Sequence, residues 1–343
     1  MSAVAQSPSL TVRRHAGRRR ARILVAALLL AALAAVVALS VGDYALTPDR
    51  LWLTLTGSGS RIEEYVVFQV RAPRAAMALV TGAALGIAGA LLQSFLGNPL
   101  ASPDLLGISG GSGLAAVFAI LVLQTTGPLL AIFAFSGGAV VAAVLMVAGR
   151  SLRDGGFRLI LAGIGISFLT ASVIDFLLVR AKVEEVQTAL LWLTGSLSST
   201  PWWQVLTVLA VLVVLVPALV AASRWLPISQ LGPDTASGLG VHPGTVRWVV
   251  VGAAVLLTAA TCAFVGPIGF IALCAPAIAR PLLGHGAIGL ATSGVLGAVL
   301  LLAADLVAQF AIPGLSVPVG VVTGAIGAVF LLWLLATSKG RQL

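Results

Sequence analysis

Ionic side chains are scarce in this sequence. Only 9% of its 343 residues are Asp, Glu, Lys or Arg, where a soluble globular domain carries roughly 25%. A water-facing surface for a chain of this size cannot be built from so few charges, so a water-soluble enzyme is excluded. Lysine is rarer still, with Lys182 and Lys339 the only two. A phosphate-cradling loop needs G-x-x-x-x-G-K-[ST]. Val183 and Gly340 follow the two lysines, so neither belongs to such a loop, and if ATP drives this protein another chain binds it. Cys262 and Cys274 both fall inside apolar runs and imply no disulfide framework. His15, His242 and His285 are far apart and lack Cys or carboxylate neighbours at ligand spacing, which argues against a metal site. No Ser/His/Asp or paired-carboxylate arrangement occurs in the loops, so no catalytic residues are expected.

What the chain has instead is apolar surface. Hydrophobic residues make up 59% of it, and the mean hydropathy is +1.10. The fold class this implies is all-α: a polytopic membrane protein. The formal charge of +9 invites a nucleic-acid reading, but six of the cations (Arg13, Arg14, Arg18, Arg19, Arg20 and Arg22) lie just before the first apolar run. That placement suits an anchor on an anionic lipid leaflet, not a groove-binding face. A spanning helix needs roughly 20 apolar residues. Ten candidates occur, at 23–41, 75–96, 105–123, 129–148, 159–179, 203–222, 248–265, 268–279, 287–307 and 317–336. The eighth is too short to cross unless neighbours enclose it. The first has the basic start of a signal peptide, but its apolar run is longer than a cleavable core, so retention is expected. The expected organisation is a basic arm over 1–22, one ten-helix domain over 23–336 with a loop at 223–247, and a tail over 337–343.

With the N-terminus in the cytoplasm, six cations fall outside: Arg50, Arg61, Arg71, Arg74, Arg180 and Lys182. The other 14 fall inside, so the positive-inside rule puts both termini in the cytoplasm, with the arm deciding it. Two carboxylates, Asp175 and Asp305, sit within predicted spans near their outer ends. Intramembrane carboxylates are functional candidates by default, but that depth lets water or helix-end donors satisfy them, and a structural role is expected. Glycines at spacings of three and four (Gly82, Gly86 and Gly89; Gly320, Gly324 and Gly327) predict close helix packing. An offset of 177 residues gives 8 identities in the 27 positions from 81 to 107, a weak internal repeat. Between the sixth and seventh spans, Asp234 is placed to open a short helix and Gly240 to end one. Such a helix would be a docking surface for a soluble partner; an ordinary solvated loop is the alternative.

Several motifs now stand in order: Arg71-Ala-Pro-Arg74, Gly82-Ala-Ala-Leu-Gly-Ile-Ala-Gly-Ala-Leu-Leu-Gln93, Asn98-Pro-Leu-Ala-Ser-Pro-Asp-Leu-Leu-Gly107, Leu231-Gly-Pro-Asp-Thr-Ala-Ser-Gly-Leu-Gly-Val241, Gly266-Pro-Ile-Gly-Phe-Ile-Ala-Leu273 and Val317-Pro-Val-Gly-Val-Val-Thr323. Together they resemble the FecCD family, the permease subunits of type II ABC importers for iron–siderophores, haem and cobalamin. Phe157-Arg-Leu-Ile160 and Asp305-Leu-Val-Ala-Gln309 are most similar to the ferric-enterobactin type.

The resemblance implies ten helices, a second permease chain (a heterodimer), two ATPase subunits that bind ATP and Mg, and an extracytoplasmic siderophore-binding protein. It implies no cofactor on this chain, no nucleic-acid partner, and a place in the cytoplasmic (inner) membrane. By motif match it assigns binding-protein docking to Arg71 and Arg74. It assigns ATPase coupling to Leu231, Gly232, Asp234, Ala236, Leu239, Gly240 and Val241, and a cytoplasmic gate to Gly155 and Gly156. The implied cargo is a ferric siderophore of the catecholate type, with haem or cobalamin as the alternative. Two departures stand out: Pro276-Ala277 replaces the Pro-His of many members, and Gln309 replaces an arginine of some, leaving Arg71 and Arg74 without a third docking cation. A secondary carrier or channel working without ATP is the competing class, and interfacial snorkelling is the competing role for the two arginines.

Overall fold

Proline and glycine punctuate this chain where its helices start and stop. The computed structural model describes residues 8–42, 44–148, 155–284, 288–312 and 316–338. In order the helices are α1 (Pro8–Ser40), α2 (Pro48–Leu55), α3 (Arg61–Tyr65), α4 (Ala72–Leu96), α5 (Ile108–Leu121), α6 (Gly127–Ala148), α7 (Gly155–Arg180) and α8 (Val183–Leu193). They continue as α9 (Trp202–Val214), α10 (Val216–Ser229), α11 (Pro233–Gly238), α12 (Pro243–Val265), α13 (Ile271–Leu283), α14 (Leu290–Phe310) and α15 (Val319–Ser338). A prolyl residue occupies the first turn of α2, α4, α10, α11 and α12, where its missing N–H costs nothing. Ser60 and Glu63 close a capping box on α3: Ser60 Oγ accepts from the Glu63 N–H, and Glu63 accepts from the Ser60 N–H at 2.7 Å. A wide π-helical turn over Val66–Arg71 joins α3 to α4 without a break.

Among the described residues six helices are long and apolar enough to span a membrane, and α9 with α10 makes a seventh span bent by 43°. The predicted sixth span, 203–222, is therefore not straight. Pro217 removes one helical N–H and crowds the preceding turn, which accounts for the bend at Leu215. Three shorter apolar stretches, α5, α13 and Val319–Leu334 of α15, complete the expected ten. The 14 residues of α5 and 13 of α13 cover about 20 Å each, short of the roughly 30 Å hydrocarbon core. Each is preceded by non-helical backbone, 97–107 and 266–270, part of which is buried: 101–103, Leu106 and Gly107 in the first, Gly266 and Ile268 in the second. Irregular backbone survives at membrane depth only where protein encloses it. The first segment satisfies itself locally: Ala101 N donates to Asn98 O, Leu106 N to Pro103 O, and Leu100 N to the Asn98 side chain.

The centre is built by α4 and α12, each with 72% of its span window buried, against 17% for α7 and 6% for α1. Glycine makes that centre dense. A Cβ on Gly82 or Gly86 would land on the α14 backbone at Gly297 or Ser293, and one on Gly89 would strike the Ala272 carbonyl of α13.

Residues 8–22 of the expected basic arm are helical and continue without a break into the first span as part of α1. The 177-residue offset is out of register with the helix breaks. It pairs the uninterrupted helix 81–96 with 258–273, which contains the break at 266–270, and pairs the irregular 97–107 mostly with helix α13.

Candidate functional site

The two arginines of the Arg71–Arg74 motif lie one turn apart where the π-helical turn meets α4. Both are engaged within the chain. Arg71 spreads over the C-terminal end of α1: Nη1 donates to Leu39 O at 2.8 Å and Ser40 O at 3.1 Å, and Nη2 to Tyr44 O at 2.6 Å. A guanidinium there satisfies carbonyls that α1 leaves open and sits at the negative end of its dipole. Arg74 grips Asp305 of α14 with three contacts, Nη2 to Oδ1 at 2.8 Å, Nε to Oδ2 at 3.0 Å and Nε to Oδ1 at 3.3 Å. Gln309, one turn further along α14, donates to Asp305 Oδ2 at 2.8 Å. Asp305 is 1% exposed and Arg74 20%. Planar bidentate pairing is the geometry in which arginine binds carboxylate most strongly. These groups border a cavity of about 310 Å³ that also touches Tyr44 and Phe310. Trp202 donates its indole N–H to Phe68 O inside the π-helical turn at 2.8 Å, tying α9 to the same end of the bundle.

At the opposite end lies the 231–241 segment. Gly232 takes φ +101° and Gly240 φ +78°, conformations that let the chain turn sharply on either side of α11. Pro233 and Asp234 occupy the first turn, and the helix ends two residues before Gly240. Ala236 is fully buried and Val241 nearly so, both within the cluster that includes Leu226 and Val246. Val241 N donates to Ala236 O at 2.9 Å, closing the hairpin. Leu231 and Leu239 point the other way, 62% and 60% exposed. Just before the segment, Gln230 Nε2 donates to Ser94 O and Arg280 Nη2 donates to Ser94 Oγ, each at 3.2 Å. Those bonds lock the ends of α10, α4 and α13 together.

Gly155 and Gly156 form the first residues of α7; residues 149–154 before them lie outside the described residues. Asp175 is exposed on α7, on the same face as Phe168, Phe176 and Val179, and Arg180 stacks over the Phe176 ring at 4.6 Å. Sequence reasoning missed Asp104, which stands one position before the third predicted span. It accepts a hydrogen bond from Ser109 Oγ, and Ser109 in turn touches Cys262 Sγ at 3.9 Å. Gln93, 1% exposed, was also missed; it donates to Leu273 O across the α4–α13 contact at 3.2 Å. Among the described residues no group of three His, Cys, Asp or Glu could hold a metal ion.

A model of the FecCD transport family matches residues 27–337. The chain belongs to that family. The Fe(3+)-citrate import system permease protein YfmE of Bacillus subtilis is 36% identical over 330 residues, covering 95% of this chain and 98% of its own. The ferric enterobactin transport system permease protein FepG of Escherichia coli is 37% identical over 325 residues, covering 94% and 98%. A solved inward-facing ABC transporter assigned to the metal-chelate type superposes with a TM-score of 0.83 at 28% identity, over 92% of this chain and 99% of the other. This FecCD chain is thus a multi-pass membrane protein and the permease subunit of an ABC importer, not itself an enzyme. In such systems ATP is bound by a partner ATPase.

Proposed function

We propose that this FecCD permease forms the membrane half of an importer for a ferric siderophore, catecholate-type cargo being favoured. An extracytoplasmic binding protein hands the cargo over, and two ATPase subunits drive its passage. The observation that carries this reading is α11, one face of which is fastened into the core while Leu231 and Leu239 face outward. Two exposed leucines flanking a short helix on a polar membrane face offer an apolar contact for a soluble partner. A segment packed through Ala236 of α11 and Val241 just after it moves as part of α10 and α12 when pushed. The Gln230–Ser94–Arg280 bonds carry that displacement into α4 and α13, the helices beside the central glycine contacts. Gly155 and Gly156, as a cytoplasmic gate at the start of α7, would open or close with it.

Asp175 supports a second permease chain beside α7. A carboxylate within a span faces protein or water, not lipid, so the face bearing Asp175 belongs to a subunit contact or to the pathway. A heterodimer fits the likeness to the enterobactin-type permease. Arg71 and Arg74 remain the proposed docking cations. Their intrachain partners mean that the binding protein must share guanidinium groups already bonded to α1 and Asp305, not meet free charges. The cation count supports both termini and α11 in the cytoplasm, and the family likeness supports the inner membrane.

The test is the double substitution L231D/L239D. It should leave the permease folded, because neither side chain is buried, while abolishing copurification of the ATPase and uptake of labelled ferric siderophore. Unchanged ATPase retention would remove α11 from the coupling role.

A further inference from the structure

A second cavity, of about 590 Å³, lies between α1, α4, α10 and α14, at the end of the bundle where α1 begins. Its volume is that of a small-molecule site, which spans roughly 300–1,000 Å³. Leu24, Ile87, Leu219 and Leu290, one from each helix, make its walls apolar. Along α10 it runs from Pro227 to Val216, about 16 Å at 1.5 Å per residue, parallel to the direction of a lipid chain. One wall is α1, the least buried of the spanning helices, so the slot adjoins the bilayer and not the centre of the protein.

Its mouth is basic. Arg20 borders the cavity directly, with Ser223 and Thr292 as hydroxyl neighbours. Arg19 lies over the end of α13, its Nη1 3.6 Å from where a Cβ on Gly284 would stand. Arg224, exposed, follows Ser223 on α10. Among the described residues the sole salt bridge is Arg74–Asp305 at the other end of the bundle, so Arg19, Arg20 and Arg224 have no carboxylate partner. Among the described residues, the segments that surround the mouth, 17–22, 223–247, 280–284 and 288–290, contain a single acid, Asp234. A hydrocarbon-lined slot capped by unpaired cations at headgroup level is complementary to one kind of molecule. Basic pockets between spanning helices bind anionic headgroups.

We propose that this slot binds an anionic phospholipid from the leaflet in which α1 begins. One acyl chain fills the space between Leu24, Ile87, Leu219 and Leu290, and the phosphate rests against Arg19 and Arg20. A zwitterionic lipid fits the walls equally well and gains far less from the mouth. Because α10 leads directly into α11, the bound lipid would brace the helix that holds the proposed coupling segment.

Native mass spectrometry of the purified importer complex, exchanged into dioleoyl phosphatidylglycerol or dioleoyl phosphatidylcholine, tests this. Phosphatidylglycerol should be retained at one molecule per copy of this chain and phosphatidylcholine should be lost. R19Q/R20Q should weaken phosphatidylglycerol retention by roughly 25-fold, taking about five-fold for each arginine near an anionic surface. R19K/R20K should keep most of it, and Ser223→Trp should block both lipids by filling the slot. Melting temperature in lipid-free detergent separates loss of the site from loss of the fold, and the lysine and tryptophan variants decide the matter if R19Q/R20Q does not fold. Equal retention of the two lipids by the unsubstituted complex would overturn the proposal, as would unchanged retention in R19Q/R20Q. Complete absence of bound lipid because a protein partner occupies the slot would overturn it too.

Discussion

Arg74 and Asp305 are 231 positions apart in sequence and form one buried ion pair. Neither partner can be removed alone without leaving the other charge uncompensated in a place of low dielectric. Asp305→Ala should therefore cost about 3 kcal/mol, the lower part of the range for breaking a buried pair. The double variant R74A/D305A should cost clearly less than the two single changes added together. Thermal unfolding of the four proteins in detergent gives that cycle, and simple additivity would show that the pair contributes nothing as a unit. The pair could not have been read from the chain. Asp305 was visible as an intramembrane carboxylate and Arg74 as an outer cation, but no local pattern says which arginine meets which acid. Asp104 escaped notice for a different reason. A span is recognised by its apolar run, and Asp104 precedes that run, in irregular backbone whose contact with Ser109 no local pattern announces.

At the scale of the helix, hydropathy located all ten stretches, because burial in hydrocarbon forces continuous apolar sequence. It could not distinguish a helix that crosses from one that starts partway. The short α5 and α13 each follow a residue in the left-handed region, Gly107 at φ +75° and Phe270 at φ +68°. Glycine at the first position is an ordinary signal. Phenylalanine at the second is not, and only its surroundings hold it there: its ring packs on Gly327 of α15, where a Cβ would collide with it. The limits of α11 were legible, since Pro233, Asp234 and Gly240 are strong local punctuation. Close packing was legible from glycine spacing in general, though the partners were not. Gly89 is the most sensitive of these positions. Gly89→Val should yield no monodisperse protein in detergent, because the Ala272 carbonyl occupies the space. Gly165→Val, which meets nothing within 4 Å, should elute like the parent. A Gly89→Val protein with normal elution would mean that α4 and α13 are not in contact.

For the whole molecule, the distribution of cations predicts which end faces which compartment. Ser58 lies exposed between α2 and α3, and Ser237 lies exposed on α11. A membrane-impermeant maleimide should label Ser58→Cys in intact cells and Ser237→Cys only after permeabilisation. The reverse result would invert the protein in the membrane and place α11 out of reach of any cytoplasmic ATPase. Neither Cys262 nor Cys274 interferes, since both are buried. The division of labour at this scale follows from composition: an almost lysine-free chain without a phosphate loop can supply a path but not the energy to drive cargo along it. The measurement that bears most directly on that division is transport by purified components in vesicles. With ATPase, binding protein and ATP present, a radiolabelled ferric catecholate should accumulate against its gradient, and L231D/L239D should stop it. This chain reconstituted alone should move none; transport by the chain alone, without ATP, would contradict the account.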